Sequence, residues 1–287
     1  MSSNRTVAVV TDSTCDLDHQ TAANNGITVV PLNVHFGESV FLDQVDISTA
    51  EFMEKMATSD PLPTTSQPSV GAFEEAFKRA AAEQNATEIV CITLSSKLSG
   101  TFQSASIAAQ NLTEELTVEV VDSFSASYGL GFQVLRAHEL AEQGQSAKQI
   151  AETLANEIGR YHVVFFVDTL EHLRRGGRIG KAAQMVGTLL QLKPLLRVDE
   201  GVIVPYERTR TRAKAVRALQ SFAAEAGAID ELTVLYNTTT DEAKALAEAI
   251  GTHTPGKDVA LAVVSPVIAA HIGPDIMGVV IKEKLSE

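Results

Sequence analysis

The run Ile89-Val-Cys-Ile-Thr-Leu94, followed by the hydroxyl-rich Ser95-Ser-Lys-Leu-Ser-Gly-Thr101 and a helical stretch to Asn111, decides the fold class. A continuous apolar run of this length reads as a strand buried on both faces, the pattern of a parallel sheet covered by helices. The same rhythm recurs on either side. Val7–Val10 reads as strand and ends at Thr11-Asp-Ser-Thr14. Asp16–Asn25 reads as a helix stopped by Gly26, and Ile27–Phe36 as one strand. Ser48-Thr-Ala-Glu51 is a capping box that opens a helix to about Thr58. The prolines of Asp60–Ser69 make that segment a loop. Val70–Gln84 is helical, with Phe73, Ala76, Phe77 and Ala80 on one face. Val118–Val121 is strand, Ala126–Glu142 helix, and Ser146-Ala-Lys-Gln149 a second capping box. Alternation at this spacing predicts an α/β protein whose N-terminal part is a mostly parallel sheet with helices on both faces.

The second half has a different grammar. Val163–Val167 reads as a buried strand, and Thr169 is placed to cap a short helix Leu170–Arg175. Gly176-Gly177 breaks it, and Ile179–Leu190 resumes helix. Leu195–Val198 and Val202–Tyr206 flank Asp199-Glu-Gly201, a hairpin signal. Helix Arg212–Ala226, strand Leu232–Tyr236, helix Asp241–Ile250 and strands Val259–Val264 and Ile276–Ile281 follow. Hairpin and crossover elements together predict a C-terminal mixed sheet with helices. The expected division is two domains, residues 1–160 and 161–287.

The composition of 287 residues, 45% hydrophobic and 21% charged, supports a substantial core. A net charge of −13 argues against retention on nucleic acid or anionic lipid by overall charge. No run approaches the roughly 18 apolar residues of a membrane span, and the first residues carry no secretion signal. Two cysteines, Cys15 and Cys91, are too few for a disulfide framework. Cys91, inside the apolar run, reads as a small buried hydrophobe. The expected location is the cytoplasm. Charge is nonetheless uneven: Arg174 to Arg217 holds eleven basic residues against three acidic ones. Such a window fits either a solvated helix face or a specific anionic partner: an acidic protein surface, a phosphorylated small molecule or lipid headgroups. Nucleic acid fits least, because Tyr206 alone in the window offers a stacking platform.

Familiar catalytic apparatus is missing from the sequence. Gly176-Gly-Arg-Ile-Gly-Lys181 fails as a phosphate loop, since the spacing is one residue short and Ala182 replaces the metal-binding hydroxyl. The seven histidines show no ligand spacing, so no metal site is expected. Two hydroxyl-rich loops stand out instead, Thr64-Thr-Ser-Gln-Pro-Ser69 and Ser95–Thr101, each leading into a helix. A strand-to-helix loop lies at the carboxyl end of a parallel strand, where open α/β sheets bind ligands. Helix starts add unpaired N–H groups and a partial positive charge. Ordinary helix capping explains one such loop. Two together favour a site for an anion, a carboxylate or a phosphate.

The segments TDSTCDL (11–17), TTSQPS (64–69), LSSKLSGTFQSA (94–105), VVDSFSASYGLG (120–131), LRRGGRIG (173–180) and HIGP (271–274) occur in an order that resembles the DegV family. These are the fatty-acid-binding subunits of bacterial fatty acid kinase, often called FakB, and the likeness covers nearly the whole chain. The resemblance implies a two-domain α/β fold with one long-chain fatty acid in a tunnel between the domains. It implies a carboxylate held by hydroxyls of the two loops and phosphorylated to an acyl phosphate by a separate ATP-dependent kinase subunit. On that pattern the carboxylate-binding residues are Thr65, Ser96, its neighbour Ser95, and His271. Arg175 and Arg178 flank Gly176-Gly177 as candidates near the head group or the kinase. No catalytic residue, metal or cofactor is implied for this chain. Transient contact with a membrane surface is compatible with it. The chain departs from the family at Ala270 and Ile272, where threonine usually stands on each side of the histidine, and at Asp275, where glycine usually follows the proline. Lys97 is left either to meet the head group or to face solvent.

Physics supports the expectation. About 15 buried methylenes contribute on the order of 12 kcal/mol, against roughly 4–15 kcal/mol for association. The tail can thus supply the affinity while neutral donors merely orient the head group, leaving the carboxylate nucleophilic where a direct Arg clamp would shield it. Two readings of another class remain at this stage. One is an acyl hydrolase or transferase using Ser96 with His271 as base. The other is a regulatory module that binds a phosphorylated metabolite through the basic window.

Overall fold

The computed structural model describes residues 7–185, 193–254, 256 and 258–285. The first sheet contains β1 (Val7–Asp12), β2 (Thr28–Val30), β6 (Glu88–Thr93) and β7 (Thr117–Asp122) in the order β2-β1-β6-β7, all parallel. Between β2 and β6 come β3 (Asn33–Phe36), β4 (Ser39–Leu42) and β5 (Thr64–Ser66), a small antiparallel sheet in the order β4-β3-β5. Strand alternation sends Ala8, Val10, Ile89 and Cys91 toward helices Val70–Gln84 and Thr101–Asn111. Val7, Val9, Val90 and Ile92 point the other way, into the cluster that holds Leu130, Val134, Ile150 and Leu154 of helices Tyr128–Glu142 and Ala147–Glu157. The central strands are buried on both faces for this reason.

The second sheet contains β8 (Tyr161–Phe166), β9 (Lys193–Asp199), β10 (Val202–Thr209), β11 (Ile229–Tyr236), β12 (Ala260–Val263) and β13 (Met277–Glu283). Its order is β10-β9-β8-β13-β11-β12, with β11 and β12 parallel and the other pairs antiparallel. The protein is therefore α/β, with a parallel four-stranded sheet followed by a mixed sheet. Val164, Phe166, Val234 and Val279 pack under helices Arg212–Glu225 and Thr240–Ile250. Val163, Phe165, Leu196, Leu235 and Val280 face the other way and join the same apolar cluster as the first sheet. Helix Tyr128–Glu142 lies between the sheets, touching β1 on one side and β8 and β13 on the other. Gly129 is what permits this, because a side chain there would collide with Ser125 and Val163.

Three expectations need correction. Ile27–Phe36 is two strands in two sheets. Pro31, which lacks an N–H for the ladder, sits at the break. The segment Asp60–Ser69 is not wholly irregular, since Thr64–Ser66 pairs with β3 as an edge strand whose ladder positions fall between Pro63 and Pro68. Helix Ile179–Leu190 appears as a 3-10 segment Gly180–Met185, and its remainder lies outside the described residues. Helix Pro266–Ile272 was not foreseen, although Ser265 at the N-cap followed by proline is a start signal.

Candidate functional site

Where the two halves meet, apolar side chains leave a cavity of about 790 Å³, a figure that includes its open mouth. Fifteen of its twenty lining residues are apolar, so it suits hydrocarbon far better than a sugar or nucleotide. Both halves contribute. Leu32, Leu94, Leu98 and Ala126 come from the first, and Phe165, Leu173, Ile203, Leu235 and Ile268 from the second. Strand parity decides the aromatic pair: Phe165 lines the cavity, whereas Phe166 is core on the opposite face.

The five polar liners are Thr65, Ser99, Ser127, Arg178 and His271. The Thr65 hydroxyl, on edge strand β5, meets His271 Nε2 at 2.8 Å across the two halves. Burial first, and then the positive charge of Arg178, push the His271 imidazolium down to a pKa of about 4, so the ring is neutral at pH 7. Its Nδ1 is buried with no hydrogen-bond partner among the described residues. Arg178 donates from Nε to the Leu98 carbonyl at 2.9 Å and from Nη1 to the Gly176 carbonyl at 2.7 Å. Each two-nitrogen edge of its guanidinium thus has one nitrogen engaged. A bidentate clamp on a carboxylate requires one of these bonds to break. The site offers a neutral hydroxyl–imidazole pair under a positive field, which orients an anion without neutralising it.

Of the residues singled out by sequence, Thr65, His271 and Arg178 are brought together and the others are not. Ser95 is buried, and its hydroxyl donates to the Gly201 carbonyl at 2.8 Å, locking the Ser95–Thr101 loop to the β9–β10 turn. Ser96 is exposed and outside the cavity lining; its backbone N–H donates to Asp122 at 3.2 Å. Among the described contacts none joins Ser96 to His271, the pair an acyl hydrolase needs. Arg175 is exposed and pairs with Glu171 at 2.7 Å. Lys97 is exposed, with its ammonium 5.8 Å from the centre of the Phe124 ring.

Sequence reasoning passed over Ser99 and Ser127, both of which lie in quoted motifs. Ser99 takes the second loop's place at the cavity. Ser127 is held at φ 54° and ψ −146°, a conformation few side chains adopt, at the head of helix Tyr128–Glu142. Asp12 accepts the Leu94 N–H at 2.8 Å and the Thr14 N–H at 3.0 Å, pinning the loops after β1 and β6. Burial raises its pKa to about 6. The lock at Gly201 is testable. Its φ of +78° suits glycine, and a methyl group there would collide with Ser95 and Phe124. Gly201→Ala is expected to cost about 1–3 kcal/mol, read as a lower midpoint in urea, whereas an unchanged midpoint removes the lock.

Five basic residues of the window are paired with acids. Arg174 and Arg175 pair with Glu171, Lys193 with Asp168, Arg197 with Asp199, and Arg212 with Glu242. Arg208, Arg210, Lys214 and Arg217 line an open groove with Glu207 and Ser221. Among the described residues no helix is long and apolar enough to cross a membrane, and no group of side chains could hold a metal ion.

Known proteins share this architecture over its full length. A DegV domain-containing protein of Halalkalibacterium halodurans is 39% identical over 275 residues, covering 95% of this chain and 96% of that one. A fatty-acid-binding DegV family protein of Thermus thermophilus superposes with a TM-score of 0.87 at 36% identity, covering 97% of this chain and 99% of that one. DegV of Bacillus subtilis, a fatty acid binding protein, gives 0.87 at 31% identity, with 98% and 100% covered. The model of the DegV family, described as uncharacterised proteins, matches residues 6–284. With the six motifs in order, both sheets in place and nearly every residue matched, this chain belongs to the DegV family.

Proposed function

We propose that this chain binds one long-chain fatty acid in the cavity between its halves, which divide between residues 160 and 161. It presents the carboxylate to a separate ATP-dependent kinase subunit for conversion to an acyl phosphate. The observation that carries this reading is an apolar cavity that includes the neutral Thr65–His271 pair in its lining. Hydrocarbon matches the lining, and the fatty-acid-binding relatives with the same fold support the ligand class. The chain acts in the cytoplasm as a carrier and performs no phosphoryl chemistry itself. Ser99 joins Ser95 and Ser96 as a candidate second-loop donor. Arg208, Arg210, Lys214 and Arg217 are available to an acidic partner.

The test is mass spectrometry of an organic extract of the purified protein. The expected result is about one long-chain fatty acid per chain, and an empty protein or a phosphorylated compound overturns the reading. Thr65→Val is expected to weaken retention by about 2- to 10-fold, the worth of one neutral hydrogen bond. Ser96→Ala and Ser99→Ala, measured alongside, separate the two second-loop serines. Retention unchanged in all three removes the assigned head-group site.

A further inference from the structure

Two buried acids lie outside the head-group site, and neither has an ion pair among the described residues. Asp16 and Asp43 are 4% and 1% exposed and belong to the first half. Asp16 Oδ1 accepts the Ser265 N–H at 2.9 Å, and its Oδ2 accepts the Ser127 hydroxyl at 2.5 Å. Asp43 Oδ1 accepts the Val267 N–H at 3.2 Å, and its Oδ2 accepts the Ser13 hydroxyl at 2.6 Å. Ser265 caps helix Pro266–Ile272, which supplies Val267, Ile268, His271 and Ile272 to the cavity. Both carboxylates therefore reach across from the first half and hold the first turn of a second-half helix. Two turns of helix have little stability of their own, so the placement of this one depends on its anchors. Asp16 also holds Ser127, a cavity liner in a costly conformation, by its other oxygen.

We propose that Asp16 and Asp43 are positioning residues for the polar end of the cavity: they clamp the first turn of helix Pro266–Ile272 and so fix where His271 stands against Thr65. The inference rests on the reading of Thr65 and His271 as the pair that faces the fatty acid carboxylate.

The clamp is sensitive to protons because it holds like charges without a cation. Burial, and to a lesser degree the charge of each on its neighbours, raises Asp16 and Asp43 to a pKa of about 7 each. The titratable groups that face them are acids too. Asp12 acts on Asp43, and the Cys15 thiol, itself pushed up by burial, lies beside Asp16. His19 Nε2 meets the Gln44 carbonyl, next to Asp43, at 3.1 Å. Helix Tyr128–Glu142 contributes Ser127 at its head, and helix Thr49–Ala57 contributes Thr49, which bonds the Val264 carbonyl. Unfolded, both acids would lose their protons near pH 4. Their contribution to stability is thus complete below about pH 4 and lost as pH rises through 7. The clamp loosens in the same direction.

Amide hydrogen exchange of residues 267–272, corrected for intrinsic pH dependence, reads the clamp directly. In the wild type their protection is expected to fall about tenfold from pH 6 to pH 8.5. Fatty acid dissociation, followed with radiolabelled palmitate, is expected to quicken over the same range. Asp43→Ala is expected to lower protection at both pH values and to move the His271 ring resonances. Asp16→Asn can still accept from Ser265 and donate to Ser127. It is expected to fold, keep its protection and flatten the pH dependence. An Asp16→Asn profile identical to the wild type, or helix protection untouched by Asp43→Ala, overturns the clamp. A wild-type protein that binds no palmitate sinks the proposed function instead, and the exchange data then still decide the clamp. Bound palmitate with an unresponsive helix sinks the clamp alone.

Discussion

Ala126→Trp is expected to yield a folded protein that carries almost no lipid. Ala126 has the smallest side chain in the cavity lining and precedes helix Tyr128–Glu142 in the loop after β7. An indole there occupies space that the acyl chain needs, in a site whose affinity comes from methylene burial at about 0.8 kcal/mol each. Displacing even three or four methylenes removes about 2.5–3 kcal/mol, a loss of roughly 100-fold. The indole itself finds an apolar lining, so overpacking should stay within about 1–3 kcal/mol. The measurement is fatty acid per mole of protein in an organic extract, beside circular dichroism to establish folding. A folded variant with full occupancy means that the lipid lies elsewhere.

Stripping the ligand is expected to cost the wild type more stability than most single substitutions. A ligand bound only by the native state stabilises it by about 2.7 kcal/mol at 100 times its dissociation constant. For a chain of this size each kcal/mol moves the melting temperature by roughly 2–4 °C, so delipidated protein should melt about 5–10 °C lower. Adding back palmitate should restore the difference, and adding a short, soluble acid should not. Equal melting temperatures with and without lipid would show that the two halves hold their cavity open unaided.

Much of this was legible in residues 89–101, and the reasons are physical. A run such as Ile89–Leu94 has few ways to hide both faces, so the parallel sheet and its helices followed. The hydroxyl loops could be found because they end buried strands. Which hydroxyl enters the cavity was not legible. The bonds from Ser95 to Gly201 and from Arg178 to Leu98 set the loop's attitude, and both partners lie about 80 or more residues away. Phe165 and Phe166 could not be sorted by composition, since one residue of register exchanges cavity for core. Pro31 was visible, yet the two-sheet split it marks depends on β5 arriving from residues 64–66. By sequence Asp16 reads as a helix start, whereas it lies at the end of a 3-10 turn, bonded to residues 127 and 265. The acids of the clamp carry no local sequence pattern because each bonds one backbone N–H and one serine hydroxyl that lie far from it in the chain.

The helix sandwiched between the sheets has a consequence for synthesis. Residues of Tyr128–Glu142 that end against β8 and β13 emerge from the ribosome before either strand exists. At about 5–20 residues per second, the stretch from the start of β8 at Tyr161 to the end of β13 at Glu283 takes roughly 6–25 s to follow. Through that interval the nascent first half shows a greasy flank to water, a natural target for a holding chaperone and a reason for a fragment ending near residue 160 to precipitate.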